Sequence, residues 1–159
     1  MGRTAVGIGL LGWLAVSLLA GAIGSSFTAH SVTTWYLTLA KPSWTPPGWV
    51  FAPVWTTLYL LMGVAAWLVW RQHGFRASAL PLTLFLVQLA LNALWSLLFF
   101  GLRRPGLAFG EIVVLWCSVL ATGFAFWSRR RSAGYLLAPY LAWASFALLL
   151  NLSIWRLNR

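Results

Sequence analysis

The chain has 159 residues, of which 61% are hydrophobic and 8% charged, and its mean hydropathy is +0.83. So little polar material cannot cover a water-soluble domain of this size. Eleven lysines and arginines stand against one acid, Glu111, for a formal net charge of +10. In a soluble protein that excess would suggest nucleic acid. Here the cations lie only at the edges of apolar blocks, which points instead to anionic lipid headgroups, or to an acidic ligand. Nucleic acid is not an expected partner.

Five apolar blocks fall near residues 6–27, 47–70, 79–101, 107–127 and 135–155. Each is long enough for the roughly 20 residues that cross a hydrocarbon core. Lipid offers the backbone no hydrogen bonds, so the blocks should be helices. The period-2 alternation of an outer-membrane barrel is absent. The expectation is an all-α membrane protein, a five-transmembrane-helix bundle forming one domain over residues 1–159.

Met1-Gly2-Arg3 before an apolar run resembles a secretory leader, but the run exceeds a leader core and four similar blocks follow. It reads as a retained first span. Ser17, Gly21 and Ser25 recur there every four residues, with Ala20 and Gly24 alongside. Such a stripe lets helix backbones approach closely, or leaves room for a ligand near the first loop.

That loop, residues 28–46, holds His30, Trp35, Tyr36, Lys41 and Trp44. Its length and aromatic content suggest a structured lid. Lys41 and Thr45 precede prolines and should not be helical. Pro46 or Pro47 suits the first turn of the next helix, where a missing N–H costs nothing. His30 reads as a solvated loop residue, and Trp44 and Trp49 as lid or interfacial residues. Beyond them Phe51, Trp55 and Tyr59 share one helical face. Pro53 predicts a kink or irregular first turns. Gly63 and Ala66 look like packing positions, and Arg71, His73 and Arg76 make the second loop.

In the third block Gln88, Asn92 and Ser96 form a polar stripe beside Trp95 and Phe99, which should face the bundle interior. The fourth block follows Arg103-Arg104-Pro105 and contains Glu111, for which pairing with Arg103 or Arg104 is expected. Cys117 is the sole cysteine, so no intramolecular disulfide can form. The fifth block follows Arg129-Arg130-Arg131 and places Pro139, Trp143, Ala147 and Asn151 on one face. Charge does not orient the bundle. Arg3, Arg71, Arg76 and Arg129 to Arg131 share one side, while Lys41, Arg103, Arg104, Arg156 and Arg159 share the other.

Enzyme constellations are missing. One acid excludes paired-carboxylate hydrolysis, and two distant histidines with one cysteine make no ordinary metal site. No phosphate-binding loop or Ser-His-Asp set can be assembled. No catalytic residue, metal site or required cofactor is expected. What remains is an aromatic pocket: Phe51, Trp55, Tyr59, Asn92, Trp95, Trp143 and Ala147. That lining suits a flat, largely apolar ligand, unless the rings merely fill the bundle. If the ligand carries carboxylates, Lys41 with Trp44 nearby would hold them at the mouth.

Three stretches carry a resemblance: residues 35–59 (WYLTLAKPSWTPPGWVFAPVWTTLY), 88–101 (QLALNALWSLLFFG) and 139–151 (PYLAWASFALLLN). In order and spacing they resemble the tryptophan-rich sensory protein family, in its bacterial type, whose mitochondrial members are called translocator protein or peripheral benzodiazepine receptor. The resemblance implies a multi-pass protein of the bacterial cell membrane, commonly a homodimer, with the first loop and C-terminus cytosolic. It implies binding of porphyrins such as protoporphyrin IX and haem, of benzodiazepine-type ligands and, in animals, of cholesterol. Trp55, Asn92 and Trp143 match the family's pocket residues, and the two tryptophans match those linked to light-dependent porphyrin breakdown. One departure is plain: the animal cholesterol motif needs a tyrosine upstream of a terminal basic residue, and residues 150–159 have none. The function expected is a tetrapyrrole-binding sensor or translocator. The alternatives are light-dependent porphyrin degradation, lipid or sterol transport, and a scaffold with an incidental pocket.

Overall fold

The computed structural model describes residues 3–159, apart from the side chains of residues 3–5 and 73. Met1, Gly2 and the side chains of Arg3 and His73, all used above, lie outside the described residues. The elements are α1 (Arg3–Val32), the single turn α2 (Trp35–Thr38), a 3₁₀ turn (Gly48–Val50), α3 (Phe51–Ala77), α4 (Ala79–Ser96) continued by a π turn (Leu97–Gly101), α5 (Pro105–Arg129) and α6 (Arg131–Leu157). Five helices are long and apolar enough to cross a membrane, and no strand occurs among the described residues. The chain is a multi-pass membrane protein. Neighbouring pairs α1–α3, α3–α6, α6–α5, α5–α4 and α4–α1 close the helices into a ring.

Several boundaries differ from the sequence reading. Helix α1 runs to Val32, so residues 28–32 are helical, and His30 is exposed in the last turn rather than in a loop. The polar residues near this end turn their hydroxyls back on the helix. Ser25, Ser26 and Thr28 donate to the carbonyls of Ala22, Ile23 and Gly24 at 2.9, 2.7 and 3.0 Å, which lets them stay helical in an apolar setting. Ser31 then donates to the Phe100 carbonyl at 2.7 Å and ties the end of α1 to the π turn.

Entry to α3 is irregular, as Pro53 predicts. The Val50 N–H bonds the Pro47 carbonyl at 3.0 Å in a 3₁₀ turn, and Pro53 falls in the first α turn, where no N–H is needed. Near its other end, Gly74 at φ +70° breaks the helical path. Helix α5 begins at Pro105 and α6 at Arg131, each a few residues before the expected start. Only Arg130, in extended conformation, separates these two helices.

The dense core lies away from the first loop. Trp13, Met62, Ala65, Ala66, Val69, Phe85, Val119 and Phe126 are all buried there. Phe85 stacks on Phe126 and meets the edge of Trp13, both at 5.8 Å between ring centroids. A Cβ at Gly63 would stand 3.0 Å from the Leu14 Cα, so α1 and α3 approach backbone to backbone at this level.

Candidate functional site

At the loop end the same helices enclose a cavity of about 450 Å³ between α1, α3, α4 and α6. Four-residue spacing puts Phe51, Trp55 and Tyr59 on one wall. Trp55 stacks on Tyr59 at 5.6 Å and meets Trp143 at 6.5 Å and Tyr140 at 6.2 Å edge to face. Phe51 also packs edge-on against Trp143, at 5.8 Å. On the α4 side Trp95 stacks on Phe99 at 5.3 Å.

Two short hydrogen-bond chains hold three of these rings, Tyr59, Tyr140 and Trp95. The Tyr59 hydroxyl donates to Asn92 Oδ1, and Asn92 Nδ2 donates to the Tyr140 hydroxyl at 3.1 Å. Trp95 Nε1 donates to Asn151 Oδ1 at 3.0 Å, and Asn151 Nδ2 donates to the Pro105 carbonyl at 2.8 Å. Both asparagines are buried and, in apolar surroundings, need such partners. Asn92 still keeps one N–H and one lone pair for a ligand. Helix α1 makes room for the rings. A Cβ at Gly21 would lie 2.6 Å from the Tyr59 ring, and one at Gly24 3.1 Å from Ser96 Oγ. Among the described residues, none that lines the cavity is charged. The cavity can hold a flat apolar body and offer it a few neutral hydrogen bonds; it has no group suited to acid–base chemistry at neutral pH.

All seven expected pocket residues, Phe51, Trp55, Tyr59, Asn92, Trp95, Trp143 and Ala147, line this one cavity. Lys41 and Trp44 do not. Lys41 Nζ donates to the carbonyls of Tyr36 (2.7 Å), Leu39 (2.8 Å) and Leu37 (3.4 Å), and sits 4.9 Å from the centroid of the Tyr36 ring. An ammonium has three N–H groups, and all three are engaged. Burial pushes the Tyr36 hydroxyl above its ordinary pKa, so that ring faces the cation as a neutral phenol. Trp44 packs edge-on against Phe146, a lining residue, at 5.7 Å.

Sequence reasoning missed Tyr140, the far end of the Asn92 chain, although it precedes Trp143 by three residues and so shares its helical face. Glu111 needs a correction. Neither Arg103 nor Arg104 pairs with it: both arginines are exposed, and both carboxylate oxygens are buried without a hydrogen-bond partner. Glu111 stands six residues into α5, about 9 Å along the axis from Pro105, while the arginines belong to the connection before it. Among the described residues no cluster of His, Cys, Asp or Glu could hold a metal ion.

A sequence model described as the TspO/MBR family matches residues 13–156. The chain belongs to the TspO/MBR family. It is 43% identical to the tryptophan-rich protein TspO of Archaeoglobus fulgidus, over 91% of this chain and 96% of that one. It is 44% identical to the translocator protein of Homo sapiens, over 86% and 82% of the two chains. A tryptophan-rich sensory protein of Cereibacter sphaeroides is 44% identical over 78% and 77%. In this TspO/MBR protein the stretches 35–59, 88–101 and 139–151 supply the loop edge and the α3, α4 and α6 walls of the cavity.

Proposed function

We propose that this TspO/MBR protein binds tetrapyrroles such as protoporphyrin IX or haem within the membrane and acts as a sensor or translocator for them. The cavity carries the proposal. Its volume lies within the roughly 300–1,000 Å³ usual for small-molecule sites, and its walls are ring faces with two amides among them. A macrocycle is flat, apolar on its faces and polar only at its rim, which matches aromatic walls below and a polar loop above. Relatives named translocator protein and sensory protein fit either transport or signalling. The protein is taken to work as a homodimer in the bacterial cell membrane, with the porphyrin as ligand rather than as a required cofactor.

The test is titration of purified protein with protoporphyrin IX in uncharged detergent, followed by tryptophan quenching. Replacing Trp55 by Phe and Asn92 by Ala together should raise Kd about tenfold, with thermal unfolding near that of the parent. A folded double variant that binds as tightly as the parent would place the ligand elsewhere.

Trp55 and Trp143, the two tryptophans that the family resemblance links to light-dependent porphyrin breakdown, both line the cavity, and that placement supports a second reading, degradation of the ligand under light. Illuminating the complex and looking for product separates degradation from binding. Flux into sealed vesicles separates a carrier from both.

A further inference from the structure

Tyr36 and Gly48 both line the cavity, so the segment between them crosses its mouth. Apart from the single turn α2 that segment has no regular structure, and its backbone polar groups must find partners elsewhere. Part of it holds itself. Lys41 collects the carbonyls of Tyr36, Leu37 and Leu39, which closes residues 36–41 into a small unit. The Tyr36 ring anchors the start of that unit on Phe99 and Phe100, at 6.4 and 5.7 Å. At the far end of the unit a different element takes over.

Asn158 lies one residue past α6 and 118 positions from Ala40. Its Oδ1 accepts the Ala40 N–H at 2.9 Å, and its Nδ2 donates to the Ala40 carbonyl at 2.9 Å. The amide thus pairs with both backbone groups of Ala40, as a neighbouring strand would. Nδ2 also donates to the Ile154 carbonyl at 2.8 Å, and Ile154 itself lines the cavity. One side chain therefore joins the loop to the helix that forms the opposite edge of the mouth.

We propose that Asn158 is a positioning residue of the cavity: its amide clasps the loop at Ala40 to the end of α6, and opening that clasp is the step that admits and releases the ligand. The proposal rests on the ligand-binding reading given above. Two features suit a clasp rather than a permanent tie. Ala40 and Asn158 are exposed, so water competes for every bond between them. The unit behind the clasp is pre-formed by Lys41, so opening at Ala40 moves a small body and does not unfold the loop. Only an amide fits the role. A carboxylate of the same size accepts from the Ala40 N–H but faces the carbonyls of Ala40 and Ile154 with no hydrogen to give.

The experiment uses the full chain in uncharged detergent and compares the parent with Asn158→Asp, and with Asn158→Ala in case the first variant folds poorly. Amide hydrogen exchange is measured without ligand, and release of bound protoporphyrin IX is followed by stopped flow into excess albumin. Either variant should speed exchange across residues 33–47 and leave α3 and α4 amides unchanged. Release and association should both accelerate by about tenfold, the scale of two lost exposed hydrogen bonds, with Kd nearly constant. A merely structural role would raise Kd or lower the unfolding temperature instead. Unchanged exchange at 33–47 overturns the clasp, and faster exchange with unchanged ligand rates overturns its role as the gate. If the parent protein binds no porphyrin, the ligand reading fails, and the exchange measurement still decides whether Asn158 holds the loop.

Discussion

The same helices build both ends of the bundle and use their small and aromatic residues in opposite ways. Away from the loop, α3 presents Gly63, Ala65 and Ala66, α1 comes close enough to touch backbone with backbone, and Phe85 and Phe126 fill the remaining space. At the loop end α3 presents Phe51, Trp55 and Tyr59, and the small residues, Gly21 and Gly24, sit on α1. There the rings stand on edge and against each other, Tyr59 and Trp95 tied by hydrogen bonds to Asn92 and Asn151, and a cavity remains between them. Aromatic residues fill one end and line the other. Hydrogen bonds hold the polar tips of Tyr59 and Trp95, and Trp55, Trp143 and Phe51 lean on those held rings or on one another edge to face, so the wall keeps its shape beside the void.

Substitutions at the two ends should therefore separate stability from binding. Phe85→Ala is expected to have the largest effect, since it empties a fully buried site that packs on both Trp13 and Phe126. The cost should be about 3 kcal/mol or more in thermal unfolding followed by circular dichroism. Protoporphyrin affinity of the protein that remains folded should not change. A Phe85→Ala protein that unfolds like the parent but loses affinity would erase the distinction between the two ends.

Gly21→Ala probes the boundary and should act more weakly. The added methyl would stand 2.6 Å from the Tyr59 ring, which must then move and give up its bond to Asn92. Overpacking plus one lost hydrogen bond suggests about 1–2 kcal/mol of stability, together with weaker ligand binding. In a Tyr59→Leu background the same methyl meets no ring, so its effect should disappear. Persistence there would mean that Gly21 matters for helix packing and not for the cavity wall.

Much of this arrangement was legible from the amino-acid order, and the exceptions share a cause. The spans announce themselves as apolar blocks, and Phe51, Trp55 and Tyr59 reveal a common face because helical spacing is local information. Their convergence with Asn92, Trp95, Trp143 and Ala147 was expected from the family resemblance as much as from pattern. Residues 28–32 read as loop because Thr28 and Ser31 are polar, until the Thr28 hydroxyl is seen bonding its own helix and that of Ser31 the Phe100 carbonyl. The Asn158–Ala40 pair leaves no periodic trace, since it joins positions 118 apart through one side chain. Charge and nearness in sequence suggest an arginine partner for Glu111, and neither fixes the direction in which its side chain leaves the helix.

Lys41 has the smallest expected effect and distinguishes two accounts of the loop. As the lone cation of the loop, Lys41 suggested a group that reads porphyrin carboxylates at the mouth. In the structure its three N–H groups go to backbone carbonyls, two of them at the end of α2, where a cation also complements the unpaired carbonyl ends of a helix. On this geometry Lys41→Gln loosens the loop without removing a ligand contact. Binding of protoporphyrin IX and of its dimethyl ester should then weaken equally, by less than about threefold, with little change between low and high salt. A loss confined to the free acid, and shrinking as salt is added, would show that Lys41 leaves its carbonyl cradle when the ligand arrives. The loop would then recognise the ligand by charge as well as shape, and the neutral cavity beneath it would supply only part of the selectivity.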